Sequence, residues 1–520
     1  MSEAVAPGGA IVDVGATTPD SAAPDATGLG PRPPITLATR LLYGFGSIAY
    51  GIKDNGFRVF LLLFYNQVVG LPAAKVAAAV MIAMLIDCLI DPVIGHISDN
   101  FRSRWGRRHP FMYAAALPVA LSFLLLWNPP TAWDQDALFW YLVTVAVIVR
   151  SFITLYEIPS SSMAAELTLD YTERSRMLSW RFFFAWWGGL TLSVSMFWFL
   201  MRATADYPVG QLNPQAYKEY AIVGSLLMFV SILVSAAGTH RYIPWLPQPG
   251  APEKRSLATT AREVFQTLNI RPFLAISGVG LVSAISIGVG FSLAFYISTY
   301  VWELTPFWTG VLQLDSYIAS SLAVLAAPFL TKRSGKKAAG GFLLLAAVFV
   351  GFIPLILRLI GVFPDNGDLI AGTQIPQIVP WLFLDGIVRA TLGITSTILI
   401  TSMLADVVEY SEARTGRRSE GLFFAFTSLI QKAISGVGVM VAGTILTVVD
   451  FPIGSRPAEV PPETITNFLL VYMPVVGGIY ILSVIILQAY NITRDSHEET
   501  LRELAARKQA AGEGATAHTP

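Results

Sequence analysis

Two carboxylates, Asp87 and Asp91, stand four residues apart inside an otherwise apolar stretch. On a helix that spacing puts both on one face. An ionised carboxylate in a bilayer is costly and turns toward a polar interior. Two close carboxylates repel and raise each other's pKa. A cation between them relieves the repulsion, so the pair suits Na⁺, Li⁺ or H⁺; the alternative is an interior ion pair with a basic residue of another helix. Arg150 and Glu157, seven residues apart, share a face of a second apolar stretch. Arg150 there would neutralise Glu157 or contact an anionic solute. Pro159, two residues on, loosens that helix and frees backbone groups. Asp54 has the i,i+4 spacing to pair with Arg58, and Asp385 and Arg389 at the same spacing read as a local structural pair.

Other chemistries find no support. Cys88 is the single cysteine, so no intrachain disulfide forms. The five histidines include no pair at metal-ligand spacing. There is no Gly-rich phosphate loop and no nucleophile elbow, so an enzyme is not expected. No cofactor is expected beyond a coupling ion, Na⁺ or H⁺. Thirty-five basic residues balance 35 acidic ones, which leaves no basic excess to suggest nucleic acid.

The elements that position these groups follow from composition. Of 520 residues 54% are hydrophobic and 13% charged, against about 25% charged in soluble domains. The bilayer is the expected solvent. Stretches meeting the roughly 20-residue length of a membrane helix run over 41–65, 76–97, 111–127, 139–163, 182–201 and 221–237, then 273–301, 308–330, 338–360, 379–404, 422–449 and 468–489. An all-α membrane protein of about twelve spans is therefore expected. Lys and Arg gather in the even connections: Arg102 to Arg108, Arg174 and Arg176, Arg241 to Arg271, Lys332 to Lys337, and Arg414 to Arg418. The positive-inside rule makes those loops and both termini cytoplasmic, in a bacterial inner membrane. The expected organisation is a disordered tail over 1–36, six helices over 37–240, a cytoplasmic loop over 241–271, six helices over 272–490, and a second tail over 491–520. The 1–36 stretch lacks the basic start and apolar run of a signal peptide.

The two halves echo each other. Arg104-Trp-Gly-Arg-Arg108 follows the second span and Arg333-Ser-Gly-Lys-Lys337 the eighth; Ser161-Ser-Met-Ala-Ala-Glu-Leu167 ends the fourth and Thr401-Ser-Met-Leu-Ala-Asp-Val407 the tenth. Parallel repeats of this kind carry their site between the halves, near the midplane.

These features resemble the major facilitator superfamily, whose commonest signature is the basic loop between spans two and three. More narrowly, Tyr43-Gly-Phe-Gly46, Val68-Val-Gly-Leu71, Asp87-x-x-x-Asp91-Pro92, Arg102-Ser-Arg-Trp-Gly106, Glu157-Ile-Pro159 and Asp406-Val-Val-Glu-Tyr-Ser-Glu412 are similar to the glycoside–pentoside–hexuronide:cation symporters, the melibiose-permease-like family. The resemblance runs from about Leu41 into span eleven. It implies a major facilitator fold of two six-helix halves. It also implies a cation site at Asp87 and Asp91, with Lys432 facing it and holding the acids' charge when the cation leaves. Glu157 and Arg181 match sugar-site residues of the family; Arg181, near a span end, reads alternatively as an interfacial snorkeler. The melibiose branch carries an acid where Gly51 stands, an arginine at Met84 and an aromatic at Ser161. Asp54, three residues beyond Gly51, could replace the missing acid. Arg150 has no counterpart in the pattern. The candidate substrate residues are thus Asp54, Arg150, Glu157 and Arg181.

For Arg104, Arg107 and Arg108 with Asp99, one reading is topology alone. The other, implied by the superfamily, is a cytoplasmic gate between spans two and eleven, with Asp406, Glu409 and Glu412 as acidic partners. The exposed-looking aromatics Trp186 and Trp187 and the Phe423–Phe426 run read as lipid-facing or packing. The expected function is cation-coupled symport of a sugar or glycoside by a monomer. Transport of a lysolipid or another amphipathic or anionic solute is the alternative, because the acid at Gly51 is absent. A channel would not need the repeat with its midplane acids, and a sensor should carry a soluble domain.

Overall fold

The computed structural model describes residues 33–168, 170–246, 269–415, 420–493, 496–504 and 506. The tail before residue 33, most of the central loop including Lys254, and Arg417 and Arg418 lie outside the described residues. Among the described residues the helices group into twelve spans. α1 covers 37–68 and is broken by π turns at Gly56–Phe60 and Phe64–Val68. Then come α2 (Ala73–Asn100), α3 (His109–Leu126), α4 (Gln135–Leu167), α5 (Tyr171–Ser195) and α6 (Pro214–His240). α7 (Arg271–Tyr296) leads to α8, in two pieces (Pro306–Leu312 and Asp315–Ser334). α9 (Lys336–Leu359), α10 (Ile378–Thr415), α11 (Glu420–Val448) and α12 (Pro462–Leu487) follow. Ten helices among the described residues are long and apolar enough to cross a membrane; α1 is interrupted, and α11 contributes a shorter apolar stretch, Ile434–Val448. Helix starts are set locally: Asp134 Oδ1 accepts from the amides of Asp136 and Ala137 at 3.0 and 2.8 Å to cap α4, and the Asn213 side chain caps α6.

The repeat seen in sequence is a repeat in packing. In the first half α1 packs on α5 and α6, α4 on α2 and α3, and α3 on α6. In the second half the corresponding pairs recur: α7 on α11 and α12, α10 on α8 and α9, and α9 on α12. Even the close approaches correspond. Gly51 of α1 lies on the α5 backbone at Ala185 and Gly189, and Gly288 of α7 lies on the α11 backbone at Ser435 and Gly438. A side chain at either position would strike main chain, the small-residue packing that lets membrane helices approach. This explains why no acid stands at Gly51: its Cβ would meet the Ala185 carbonyl.

The halves meet at the end remote from the basic loops. α2 runs against α11, and α1 against α7. Tyr296 donates to Asn66 Oδ1 at 2.7 Å, Gln67 Nε2 to the Pro452 carbonyl at 3.1 Å, Gln211 Nε2 to the Leu304 carbonyl at 2.6 Å, and Trp198 Nε1 to the Phe307 carbonyl at 3.2 Å. Beneath these bonds Phe295 inserts between Phe60 and Phe197, ring centroids 5.7 and 5.3 Å apart. The π turns of α1, α5 (Met196–Leu200) and α7 (Ile297–Val301) all fall in this seam, where helix geometry departs from regular in the way common at functional places. Trp187 is exposed but packs on Tyr317 across the halves, while Phe423 is buried against Phe273.

These neutral hydrogen bonds are each worth about 1 kcal/mol, so removing them should open this end. In a Cys88→Ser background carrying Phe57→Cys, a buried central position, the double change Tyr296→Phe and Gln67→Ala should raise labelling by a membrane-impermeant maleimide added at this face by at least about fivefold. Unchanged labelling rates in oriented vesicles would show that the seam does not close the molecule.

Candidate functional site

The acid pair sits between α2 and α4. Asp87 is 1% exposed and Arg150 3%. Asp87 Oδ2 accepts from Arg150 Nε at 3.0 Å and Nη2 at 2.7 Å. Asp87 Oδ1 lies 3.0 Å from the Thr154 hydroxyl, and the same hydroxyl lies 3.0 Å from Asp91 Oδ1. The Arg150 guanidinium also stacks 5.5 Å from the Phe57 ring centroid. Of the two roles open to Asp87, the ion pair with another helix is present. Arg150 accordingly does not pair with Glu157 and stands in the acid cluster rather than on the substrate side where the sequence reading put it. One turn of α4 separates Arg150 from Thr154, so both reach α2, while Glu157 projects farther along. Lys432 lies on α11, which packs on α2; its side chain is outside the described residues.

Asp54 pairs not with Arg58 but with its chain neighbour: Lys53 Nζ is 2.8 Å from Asp54 Oδ1, with Lys53 almost fully buried. Arg58 instead reaches across to the Phe291 ring of α7.

A second cluster lies near the first on α4. Arg181 of α5 is buried, so it is not an interfacial snorkeler. Its Nη1 donates to Ser160 Oγ at 2.7 Å and its Nη2 to the Glu157 carbonyl at 3.2 Å. Its guanidinium lies over the rings of Tyr50 and Tyr43, 5.2 and 6.0 Å from their centroids. The Tyr50 ring also feels the charges of Glu157 and Asp54. A tyrosine-framed guanidinium with a nearby carboxylate can bind hydroxyls or a negative group.

The basic-loop residues form two matching clamps, each inside its own half. Glu166 Oε1 accepts from Arg107 Nη2 at 2.8 Å and Arg108 Nε at 2.9 Å, and Arg108 also engages Ser98 and Asp99. In the second half Lys336 Nζ donates to both oxygens of Asp406 at 2.6 and 2.8 Å. Gly106 and Gly335, just before the clamping bases, share a positive φ of 73° and 75°, the left-handed conformation that glycine supplies without strain. The expected pairing of these arginines with the tenth-loop acids gives way here to pairing within each half, since Glu166 and Lys336 lie at the ends of neighbouring helices. Glu409 lies 3.5 Å from His497 Nε2, and Asp406 3.8 Å from it. Glu412 lies three residues beyond Glu409 on α10. Arg104 is exposed and rests on Trp105.

Several groups escaped the sequence reading. Thr154 had a signal, its helical spacing from Arg150, and Glu166 had one in the echo with Asp406. Lys53 and Tyr50 had none, and Tyr43 stood only in the Tyr43-Gly-Phe-Gly46 motif, without a role. Asp385 and Arg389 are 3.6 Å apart as expected. Asp315 of α8 packs against Gly386 beside them, a partner that sequence spacing could not reveal.

A two-half helical bundle with ten membrane-length apolar helices among the described residues, and with charged clusters buried between them, has the build of a membrane transporter. The model of the MFS/sugar transport protein family matches residues 42–494, and the chain belongs to that family. An uncharacterized symporter of Synechocystis is 27% identical, over 91% of this chain and 98% of its own length. The isoprimeverose transporter of Lactiplantibacillus pentosus is 23% identical over 88% of this chain and 90% of its own. In fold, the chain resembles a bacterial homologue of the human lysosomal transporter Spinster, solved inward-facing and unoccupied: TM-score 0.57, 13% identity, covering 88% of this chain and 98% of that one.

The clamps predict a stability difference. Glu166→Gln removes the carboxylate charge shared by Arg107 and Arg108, leaving Arg108 only the half-exposed Asp99, and should cost about 3 kcal/mol, while Arg104→Gln at the exposed position should change stability by less than about 0.5 kcal/mol. Thermal unfolding of the detergent-purified protein measures both.

Proposed function

We propose that the protein is a secondary active symporter that moves a sugar or glycoside with a cation by alternating access. The observation that carries this reading is the placement of two clusters on one helix: Thr154 joins the acids of α2, and Glu157 and Ser160, one to two turns on, frame Arg181 with Tyr43 and Tyr50. Coupling requires that a cation and a solute bias the same moving element, and α4 offers that element. Asp54, Glu157 and Arg181 are the proposed solute contacts, and Asp87 and Asp91 the proposed coupling acids with Lys432 beside them. The clamps at Asp99, Arg107 and Arg108 and at Asp406 hold each half rigid while the halves rock. The two-half division at the 241–271 loop, the bacterial inner membrane and the cytoplasmic termini complete the reading. A reporter fused after Lys254 should report a cytoplasmic location, and a periplasmic signal would overturn the topology. On this topology the seam closed by Tyr296 and Gln67 faces the periplasm.

One observation favours a second reading of the solute. Arg181 is buried yet its hydrogen-bond partners are a hydroxyl and a carbonyl, with no carboxylate in ion-pair contact among the described residues. An anionic or amphipathic anionic solute would supply the missing charge.

Substrate and cation should strengthen each other's binding by one common factor. Asp91→Asn preserves shape and removes one charge. It should abolish accumulation against a gradient in proteoliposomes while leaving exchange intact. The measurement is uptake of a panel of neutral sugars, hexuronides and lysolipids under imposed Na⁺ or H⁺ gradients. Accumulation by the Asn variant with unchanged ion dependence would sink the coupling assignment.

A further inference from the structure

The resemblance to cation symporters implies that an alkali ion could sit at the Asp87–Asp91 pair. The donor set argues otherwise. We infer that Arg150 is a resident cation that occupies this seat and excludes sodium and lithium, making it the residue that sets which ion the transporter uses. The inference rests on the symport reading of the acid pair.

An alkali ion bound by carboxylates needs several oxygens facing one point with their lone pairs available. Asp87 does not offer this. Its Oδ2 takes two guanidinium N–H groups and its Oδ1 faces the Thr154 hydroxyl. That hydroxyl also reaches Asp91 Oδ1, so three of the pair's four carboxylate oxygens already face groups of α4. The guanidinium cannot leave cheaply, because it is buried, stacked on Phe57 and permanently charged. A monovalent metal ion beside it would meet a like charge at contact distance. At about 4 Å and an effective dielectric of about 20 that repulsion weakens binding by about a thousandfold. The surrounding charges do not reverse the sum. On α1, Lys53 and Arg58 outnumber Asp54; on α4, Glu157 stands a turn beyond Thr154 and lies with Arg181 of α5; and α11, which packs on α2, carries Lys432 in its sequence.

The purified protein tests this with sodium and lithium themselves as probes. Thermal unfolding and ²²Na⁺ binding are measured in NaCl, LiCl and choline chloride at one ionic strength and fixed pH. The wild type should show the same Tm in all three salts and no saturable sodium binding. Arg150→Gln, which empties the seat but keeps hydrogen-bonding capacity, should gain a saturable rise in Tm with sodium. Adding Asp87→Asn should remove that rise, and Arg150→Lys should behave like the wild type. Saturable sodium binding by the wild type that Asp91→Asn abolishes would overturn the inference, as would a folded Arg150→Gln that stays indifferent to sodium. Should Arg150→Gln fail to fold, the wild-type binding measurement decides alone. Failure of every solute in the transport panel would refute the sugar reading without touching this result, since ion binding is read in the absence of solute.

Discussion

The Asp87–Arg150 ion pair is the constraint around which the first half is arranged. Each charge alone in a bilayer-spanning bundle would carry a desolvation penalty of several kcal/mol. Joined, with Thr154 satisfying the second carboxylate oxygen, they become tolerable only if α2 and α4 keep one relative rotation and height. Removing either partner leaves an uncompensated buried charge, a loss of about 3–5 kcal/mol. The pair therefore fixes the azimuth of α4, and with it the positions of Glu157 and Ser160. Since Ser160 and the Glu157 carbonyl hold Arg181, the Arg181 cluster inherits its geometry from the acid side.

The bonds holding the molecule together fall into two strengths. Within each half ionic bonds reinforce the neutral ones: Glu166 with two arginines, Lys336 with Asp406, Asp87 with Arg150. Between the halves, the hydrogen bonds at the closed end join neutral groups, with aromatic packing around Phe295. Charge-assisted bonds are roughly twice as strong as neutral ones. A motion that separates the halves breaks the weaker set and leaves the stronger set intact. This ordering is what rigid-body alternating access requires, and the repeat places one clamp of the strong kind in each half.

The sequence carried the spans, the repeat and the acids, because each rests on a one-dimensional signal: apolar length, motif echo, or charge in an apolar stretch. It did not carry the pairings. Spacing tells that Arg150 and Glu157 share a helix face, but not that α2 lies opposite that face with Asp87 at the height of Arg150. Asp54 shows the same limit. The i,i+4 rule points to Arg58, yet Arg58 stands inside the α1 π turn at Gly56–Phe60, and Lys53 takes the carboxylate. The echo of Glu166 with Asp406 was legible as repetition, while its meaning as a clamp became readable only when both ends of each pair were placed.

The two clusters on α4 also bear on how a cation and a solute could act on each other. Thr154 and Glu157 are three residues apart on a helix whose next turn contains Pro159. Proline removes one backbone hydrogen bond and permits local adjustment, so α4 is rigid where it meets α2 and more compliant where it frames Arg181. A charge change at Asp91 alters what the Thr154 hydroxyl bonds to, and the shortest path from that hydroxyl to the Arg181 cluster is a single helical turn. Coupling over so short a distance needs no extended network. It needs only that the arrangement of α4 preferred by the loaded acid pair be the one in which Ser160 and Arg181 hold a solute.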